Sequence, residues 1–287
     1  MPSPSSRSRL LITGASGYLG HRLVPLAKQR ADVLAVSRQT PHAEDGVEWL
    51  QADLTDDLRG LFEQYRPDAV IHAAAINPGV DDDNLGTNET MSARVAEAAK
   101  AIGSRLVVVS SDMVYAGSSR AYADDARPDP INAYGESKVA AEAAALADHD
   151  DVVCVRTSLI YGLEQIDRGT ASFIARLERG ERQSLFDNVY RQPVWVDALA
   201  EGLLKLALDL DTHGTLNLAG EESISRSEFA KAMLRHWGHA LEGIDEGPAP
   251  TDRGIPLRID LQLDRARSLG LATPGVAEVL ARYSARS

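Results

Sequence analysis

Cysteine is almost missing from this chain. Cys154 is the only one in 287 residues. No intrachain disulfide can form, and a cysteine-based metal site is excluded. Cys154 stands in the apolar run Val152-Val153-Cys154-Val155 and reads as an inert core residue. Positive charge is also scarce. Lysine and arginine number 30 against 42 acidic residues, giving a formal net charge of −12 with no basic block. That balance excludes the electrostatic footprint of a nucleic-acid binder or of an anionic-membrane binder. An anionic substrate would have to be held by local arginines working against the overall field. Aromatic residues make up only 5%. No apolar stretch approaches the ~20 residues of a membrane span. The segment from Met1 to Arg9 is polar and rich in proline and serine, with no apolar signal core. These absences predict a cytoplasmic protein with a small-molecule partner.

What is present is the composition of an ordinary globular protein, 44% apolar and 25% charged. The length fits one sizeable α/β domain, or one with a smaller cap. Short apolar runs alternate with longer helical patterns through the first 160 or so residues. Strands are expected at Leu10–Thr13, Val33–Val36, Val47–Leu50, Ala69–His72, Leu106–Ser110 and Val152–Arg156. Helices are expected at Leu58–Tyr65, Met91–Ile102 and Ala133–Leu146. This βα alternation predicts a doubly wound parallel sheet, a Rossmann-type α/β fold. Residues 1–157 form the expected dinucleotide-binding domain, rejoined by about 195–220. Residues 158–287 form a smaller, interleaved substrate-binding lobe. There, Phe173–Arg179 and Trp195–Leu208 read as helices and Thr215–Leu218 as a strand. Ser225–Trp237 reads as a helix opened by a Ser225/Glu228 capping box. Glu242–Ile255, rich in Gly, Pro and Asp, reads as loop.

Two motifs carry chemistry. The first strand runs into Gly14-Ala15-Ser16-Gly17-Tyr18-Leu19-Gly20 and then into an amphipathic stretch. Gly14 permits the tight turn, Gly17 lets backbone approach a pyrophosphate, and Gly20 lets helix pack on strand. The N–H groups at the helix start would face phosphates. The second motif is Tyr134-Gly-Glu-Ser-Lys138. Residues four apart share a helix face. A lysine ammonium beside a phenol stabilises the phenolate and lowers the tyrosine pKa from about 10. Such a tyrosine can exchange a proton with a sugar or alcohol oxygen. Ser111, at a strand end, can hydrogen-bond a carbonyl or alkoxide beside it, because ligands of open parallel sheets bind at the carboxyl ends of strands.

Together with Asp53-Leu54, His72-Ala73-Ala74-Ala75, Asn88, Ser110-Ser111-Asp112-Met113-Val114-Tyr115 and Arg156-Thr157-Ser158, these motifs resemble an extended short-chain dehydrogenase/reductase. The run from Tyr122 through Asp124, Pro128 and Pro130 to Tyr134 and Glu142 is most similar to the dTDP-4-dehydrorhamnose reductases and their relatives. The resemblance implies that Tyr134 is the acid, that Lys138 tunes it and holds the nicotinamide ribose, and that Ser111 polarises a ketone. It implies cofactor contacts from Gly14, Ser16, Gly17, Tyr18, Leu19, Asp53, Leu54, Ala73, Ala74 and Ala75. Asn88 would help to hold the surroundings of Lys138, or serve as a plain structural asparagine. His72 reads as a packed strand residue.

Ser37-Arg38 stands where an acidic residue would bond the ribose 2′-hydroxyl of NAD. A hydroxyl and a guanidinium suit a 2′-phosphate, so NADP is the expected cofactor and NAD the second choice. The resemblance gives Asp112 and Arg191 to the substrate, expected to be a nucleotide sugar, with Arg253 as a second candidate cation. The family's dehydratases carry a glutamate after the aspartate, where Met113 stands here. Reduction of a 4-keto (deoxy)sugar nucleotide is therefore expected. A nucleotide-sugar 4-epimerase, another sugar dehydrogenase and an NADP-binding regulatory subunit without turnover stay open, and a homodimer is compatible with all of them. Ala141, where these reductases typically have glycine, and Asp187-Asn188 in the substrate segment depart from the pattern and leave the sugar undefined.

Overall fold

A computed structural model describes residues 7–38, 45–77, 82–118, 120–147 and 149–284. The first six residues of the polar N-terminal segment lie outside these. In chain order the first elements are β1 (Arg9–Thr13), α1 (Gly20–Ala27), β2 (Asp32–Ser37), β3 (Val47–Gln51), α2 (Arg59–Tyr65) and β4 (Ala69–His72). Next come α3 (Thr87–Ile102), β5 (Arg105–Ser111), α4 (Ala133–Leu146), β6 (Val152–Thr157), β7 (Ile160–Tyr161) and α5 (Arg168–Glu178). Then follow β8 (Gln183–Phe186), β9 (Tyr190–Arg191), β10 (Val194–Trp195), α6 (Val196–Leu208), β11 (Gly214–Asn217) and β12 (Ile224–Ser225). The last are α7 (Arg226–His236), β13 (Ile244–Gly247), α8 (Asp264–Ser268) and α9 (Val276–Ser284).

The chain forms two compact units. The first comprises Met1–Ser111, Ala133–Arg156 and Ala200–Leu216. Its centre is a seven-stranded sheet ordered β11-β6-β5-β4-β1-β2-β3. β1 lies parallel to both β2 and β4, so the sheet extends in two directions from its first strand. β1, β2, β4 and β6 are buried almost from end to end. Such continuous apolar runs are what a parallel sheet covered on both faces requires. Alternate residues Leu11, Leu34, Val36, Val70, Leu106, Val108, Val152 and Cys154 share one core with Phe62 of α2, Val95 and Ala99 of α3 and Ala145 of α4. Burial holds the Cys154 thiol protonated, as an inert core cysteine should be.

The second unit comprises Asp112–Asn132, Thr157–Leu199 and Asn217–Ser287. It has three two-stranded pieces, β10 with β7, β12 with β9, and β13 with β8. Its core gathers Tyr161, Leu163, Met233, Val276 and Val279, with Trp195, Phe229, Trp237 and Tyr283 packed against them. Tyr161 meets Phe229 edge-on at 5.4 Å, and Trp195 meets Tyr283 in the same way at 5.5 Å. The Ser225/Glu228 capping box is present at the start of α7. Two of the differences from the sequence reading have a clear local cause. The expected loop Glu242–Ile255 contains β13, whose Ile244–Gly247 backbone pairs in parallel with Gln183–Phe186. A strand this short, beside Gly and Pro, is specified by its partner rather than by its own pattern. α5 starts five residues earlier than Phe173 because the Asp167 carboxylate caps the N–H groups of Gly169 and Thr170.

Candidate functional site

In the first unit the expected cofactor residues lie at the carboxyl ends of parallel strands. β1 leads into the glycine turn, where Gly14 has φ +69°. A Cβ there would stand 2.6 Å from the Ala74 nitrogen and 2.7 Å from the Ala73 carbonyl carbon. Only glycine lets the turn lie against the end of β4. At Gly20 a Cβ would strike the Gly14 and Ala15 oxygens, so close helix–turn packing needs glycine there as well. Gly17 is exposed, and its N–H bonds the Gly14 carbonyl at 2.9 Å. The backbone N–H groups of Ser16 and Leu19 make no hydrogen bond among the described residues. They are donors suited to phosphate oxygens ahead of α1. Tyr18 lies in the same turn and is half-buried.

The end of β1 is tied to β4 by the Thr13 hydroxyl, 2.8 Å from His72 Nδ1. Burial, and then the Lys138 charge, push the His72 pKa down to about 3. His72 is thus a neutral packing residue, as its place in the strand suggested. Ser37 ends β2 and is buried, while Arg38, the next residue, is exposed. The Asp53 carboxylate accepts from the Thr55 N–H at 2.9 Å and from its hydroxyl at 2.7 Å. These bonds hold its pKa below the ordinary value, with a smaller contribution from the Arg38 charge. Leu54 belongs to the hydrophobic core, where its side chain supports the strand end. Ala73, Ala74 and Ala75 give β4 a half-buried exit without bulk.

Tyr134 and Lys138 stand one turn apart in the first half of α4. Lys138 is 4% exposed, and its ammonium donates to the Val109 carbonyl at 2.9 Å. That bond draws the lysine to the end of β5, where Ser111 is the last strand residue. Burial lowers the Lys138 pKa to about 8, opposed by the Glu142 carboxylate. Asn88 fixes the helix. Its amide donates to the Ile76 carbonyl and to the Ser137 hydroxyl, both at 3.1 Å, and its oxygen accepts from the Ile76 N–H at 2.8 Å. Ser137 in turn donates to the Tyr134 carbonyl at 2.8 Å. Asn88 therefore ties the segment after β4 to the turn of α4 that holds Tyr134 and Lys138.

The second unit holds the expected substrate residues. Asp112 is buried and accepts from the Ser158 hydroxyl at 2.6 Å. Arg191 Nε lies 3.6 Å from Asp112 Oδ2. The Arg191 guanidinium also donates to the carbonyls of Tyr190 at 2.7 Å and Pro256 at 2.8 Å. Burial lowers its pKa, with Arg226 acting in the same direction and Asp112 and Asp260 against it. Much of the Arg191 donor fork is thus engaged within the protein. Arg253 stands apart from this group, exposed beside Phe186, Gly247, Pro248 and Pro250 on a cavity of about 310 Å³. Sequence reasoning named Ser158 only as part of the Arg156-Thr157-Ser158 motif, without a role at Asp112, and passed over Arg226. No spacing marks them, because neighbours in space around Asp112 come from distant chain segments. Among the described residues no His, Cys, Asp and Glu cluster could hold a metal ion, and no helix is long and apolar enough to cross a membrane.

The parallel sheet, the glycine turn and the Tyr134/Lys138 helix define a Rossmann-type protein of the short-chain dehydrogenase/reductase-like superfamily. The RmlD substrate binding domain family matches residues 8–283, and the chain belongs to that family. It is 31% identical to dTDP-4-keto-6-deoxy-D-glucose reductase of Streptomyces niveus, across 85% of this chain and 83% of that protein. It is 27% identical to methionine adenosyltransferase 2 subunit beta of Xenopus laevis, across 95% of this chain and 87% of that protein. It is similar to the crystal structure of dTDP-4-dehydrorhamnose reductase from Bacillus anthracis in complex with NADP. There the TM-score is 0.81 and the identity 26%, over 99% of this chain and 100% of that one.

Proposed function

We propose that this chain reduces the C4 ketone of a deoxysugar nucleotide with NADPH, and that Tyr134 supplies the proton. The observation that carries the reading is the buried Lys138, fixed to the Val109 carbonyl one helical turn from Tyr134 and beside the strand end that holds Ser111. An ammonium buried with a single bonded partner is costly, and this position gives it a phenol to serve. The bound nicotinamide would supply the hydride. The Ser111 hydroxyl donates to the carbonyl oxygen and draws charge towards it. The Tyr134 hydroxyl gives its proton to the developing alkoxide. The Lys138 ammonium stabilises the phenolate that remains and donates to ribose hydroxyls.

The cofactor fits the residues present. The glycine turn leaves N–H groups for a pyrophosphate, and the close approach of Gly14 to Ala73 and Ala74 makes the shallow floor that a dinucleotide needs. Arg38, exposed at the end of β2, suits a 2′-phosphate, which favours NADP over NAD. Asp112, Arg191 and Arg253 are assigned to the substrate. Arg191 has part of its fork left for a phosphate oxygen, and Arg253 is accessible to a second anionic group. The relation to nucleotide-sugar reductases supports this assignment.

A second reading has an observation of its own. The similarity to a methionine adenosyltransferase subunit beta extends over nearly the whole chain, and it favours an NADP-binding regulatory subunit without turnover. Purified protein mixed with NADPH and a panel of 4-keto nucleotide sugars separates the two. Oxidation of NADPH that vanishes in Tyr134→Phe supports the reductase. Tight NADPH binding with no ketone reduced supports the regulatory subunit. Copurified NAD with NADPH ignored moves the reading to a 4-epimerase.

A further inference from the structure

Burial alone works to strip the proton from Lys138. Few charged or titratable groups face it. Its own helix offers Tyr134 and, one turn further on, Glu142. β4 brings His72, kept neutral, and β5 brings Ser110 and Ser111. β6 brings Cys154, kept as a thiol, and Arg156. Glu142 is the one full negative charge in that set. It is 4% exposed, and it is clamped. Arg156 Nε donates to both carboxylate oxygens, at 3.0 and 3.2 Å, and a terminal Arg156 nitrogen donates to Oε2 at 2.7 Å. The Ser110 hydroxyl donates to Oε1 at 2.5 Å.

We propose that Glu142, fixed by Arg156 and Ser110, is a positioning residue that holds Lys138 in its charged form beside Tyr134. This rests on the reading of Tyr134 and Lys138 as the proton-donating pair. A buried ion pair is a weak source of stability compared with apolar packing of the same volume, so a clip between α4 and β6 alone would not call for one. Glu142 acts on Lys138 through its field, since no hydrogen bond joins the two among the described residues. Arg156 holds the carboxylate in place, and Ser110 fixes its orientation at the strand that also supplies Val109 and Ser111.

The test titrates Lys138 directly in the full chain without ligand. The lysines are few, Lys28, Lys100, Lys138, Lys205 and Lys231, so ¹³Cε labelling resolves each, and loss of one signal in Lys138→Arg assigns it. Glu142→Gln should move the Lys138 titration down by about one pH unit, and Glu142→Asp should recover most of that shift. If Glu142→Gln does not fold, the double variant Glu142→Leu/Arg156→Met removes the stranded cation as well, and its Lys138 titration should move down by less than in Glu142→Gln, because a repelling charge leaves together with the carboxylate. The alkaline limb of the wild-type ketone reduction should move with the titration. Lys138 titrating at its wild-type position in the neutral variants overturns the proposal. A shifted titration in a protein that reduces no ketone upholds it and sinks the reductase reading instead.

Discussion

The two units of this chain solve the same packing problem with different materials. The first buries aliphatic strands in a seven-stranded sheet. The second has only two-stranded pieces and takes much of the scarce aromatic content, with Tyr161, Trp195, Phe229, Trp237 and Tyr283 in one cluster. A large parallel sheet fixes where each strand ends, so chemistry placed on strand ends is held rigidly. Short strand pairs joined by loops leave position to side-chain hydrogen bonds, such as those around Asp112 and Arg191. The difference teaches a division of labour. Under the proposed function, the first unit supplies the hydride-transfer chemistry and the second the choice of substrate.

The sharpest way to break that division is Tyr134→Phe. It should cut ketone reduction about 10³-fold while NADPH affinity, measured by fluorescence titration, stays within a few-fold. Equal loss of cofactor binding would place Tyr134 in the framework rather than in the chemistry. Gly14→Ala comes next. A Cβ against the Ala73–Ala74 backbone at φ +69° should destabilise the protein by about 3 kcal/mol. It should also weaken NADPH binding, and both effects are readable in a denaturant titration with and without cofactor.

Lys138→Met should separate function from stability. The lysine's folded pKa of about 8 lies below its ordinary 10.5. The unfolded chain therefore binds more protons between those values, and stability rises with pH across that window. Below pH 8 the full cost of the buried charge is present, so at neutral pH the substitution should raise stability by about 3 kcal/mol while abolishing reduction. Wild-type activity should fall as pH rises through about 8. A destabilised Lys138→Met would mean that the Val109 bond outweighs burial. The smallest effect is expected in the second unit. Arg253→Ala, at an exposed site, should leave stability within about 0.5 kcal/mol and raise KM for the nucleotide sugar several-fold with kcat unchanged.

The same division sets what could be read in advance. The strands of the first unit announced themselves, because a buried parallel strand must be apolar throughout, and Ala69–His72 and Ala133–Leu146 are seen where they were expected. Gly14, Gly20, Tyr134 and Lys138 were visible because their spacing is local. β13 was hidden, since Ile244–Gly247 is a strand only by virtue of Gln183–Phe186. That Leu54 packs into the core was not legible from Asp53-Leu54 alone, because side-chain direction depends on the core beneath it. The Glu142–Arg156 clamp joins a helix to a strand, and nothing in either segment alone points to its partner. Arg191 and Asp112 were named in advance, but the grouping of Ser158, Arg191 and Arg226 around Asp112 was not legible, since separate segments contribute them.

One measurement bears on the central claim most directly. Wild-type protein is given NADPH carrying deuterium at the transferable C4 position, together with a 4-keto deoxysugar nucleotide, and the product sugar is examined for label. The account predicts deuterium at the sugar C4 carbon in stoichiometric amount with NADP formed, at a rate about 10³-fold lower with Tyr134→Phe. A product labelled equally fast by the Tyr134→Phe variant, or NADPH held tightly without any transfer, would contradict it.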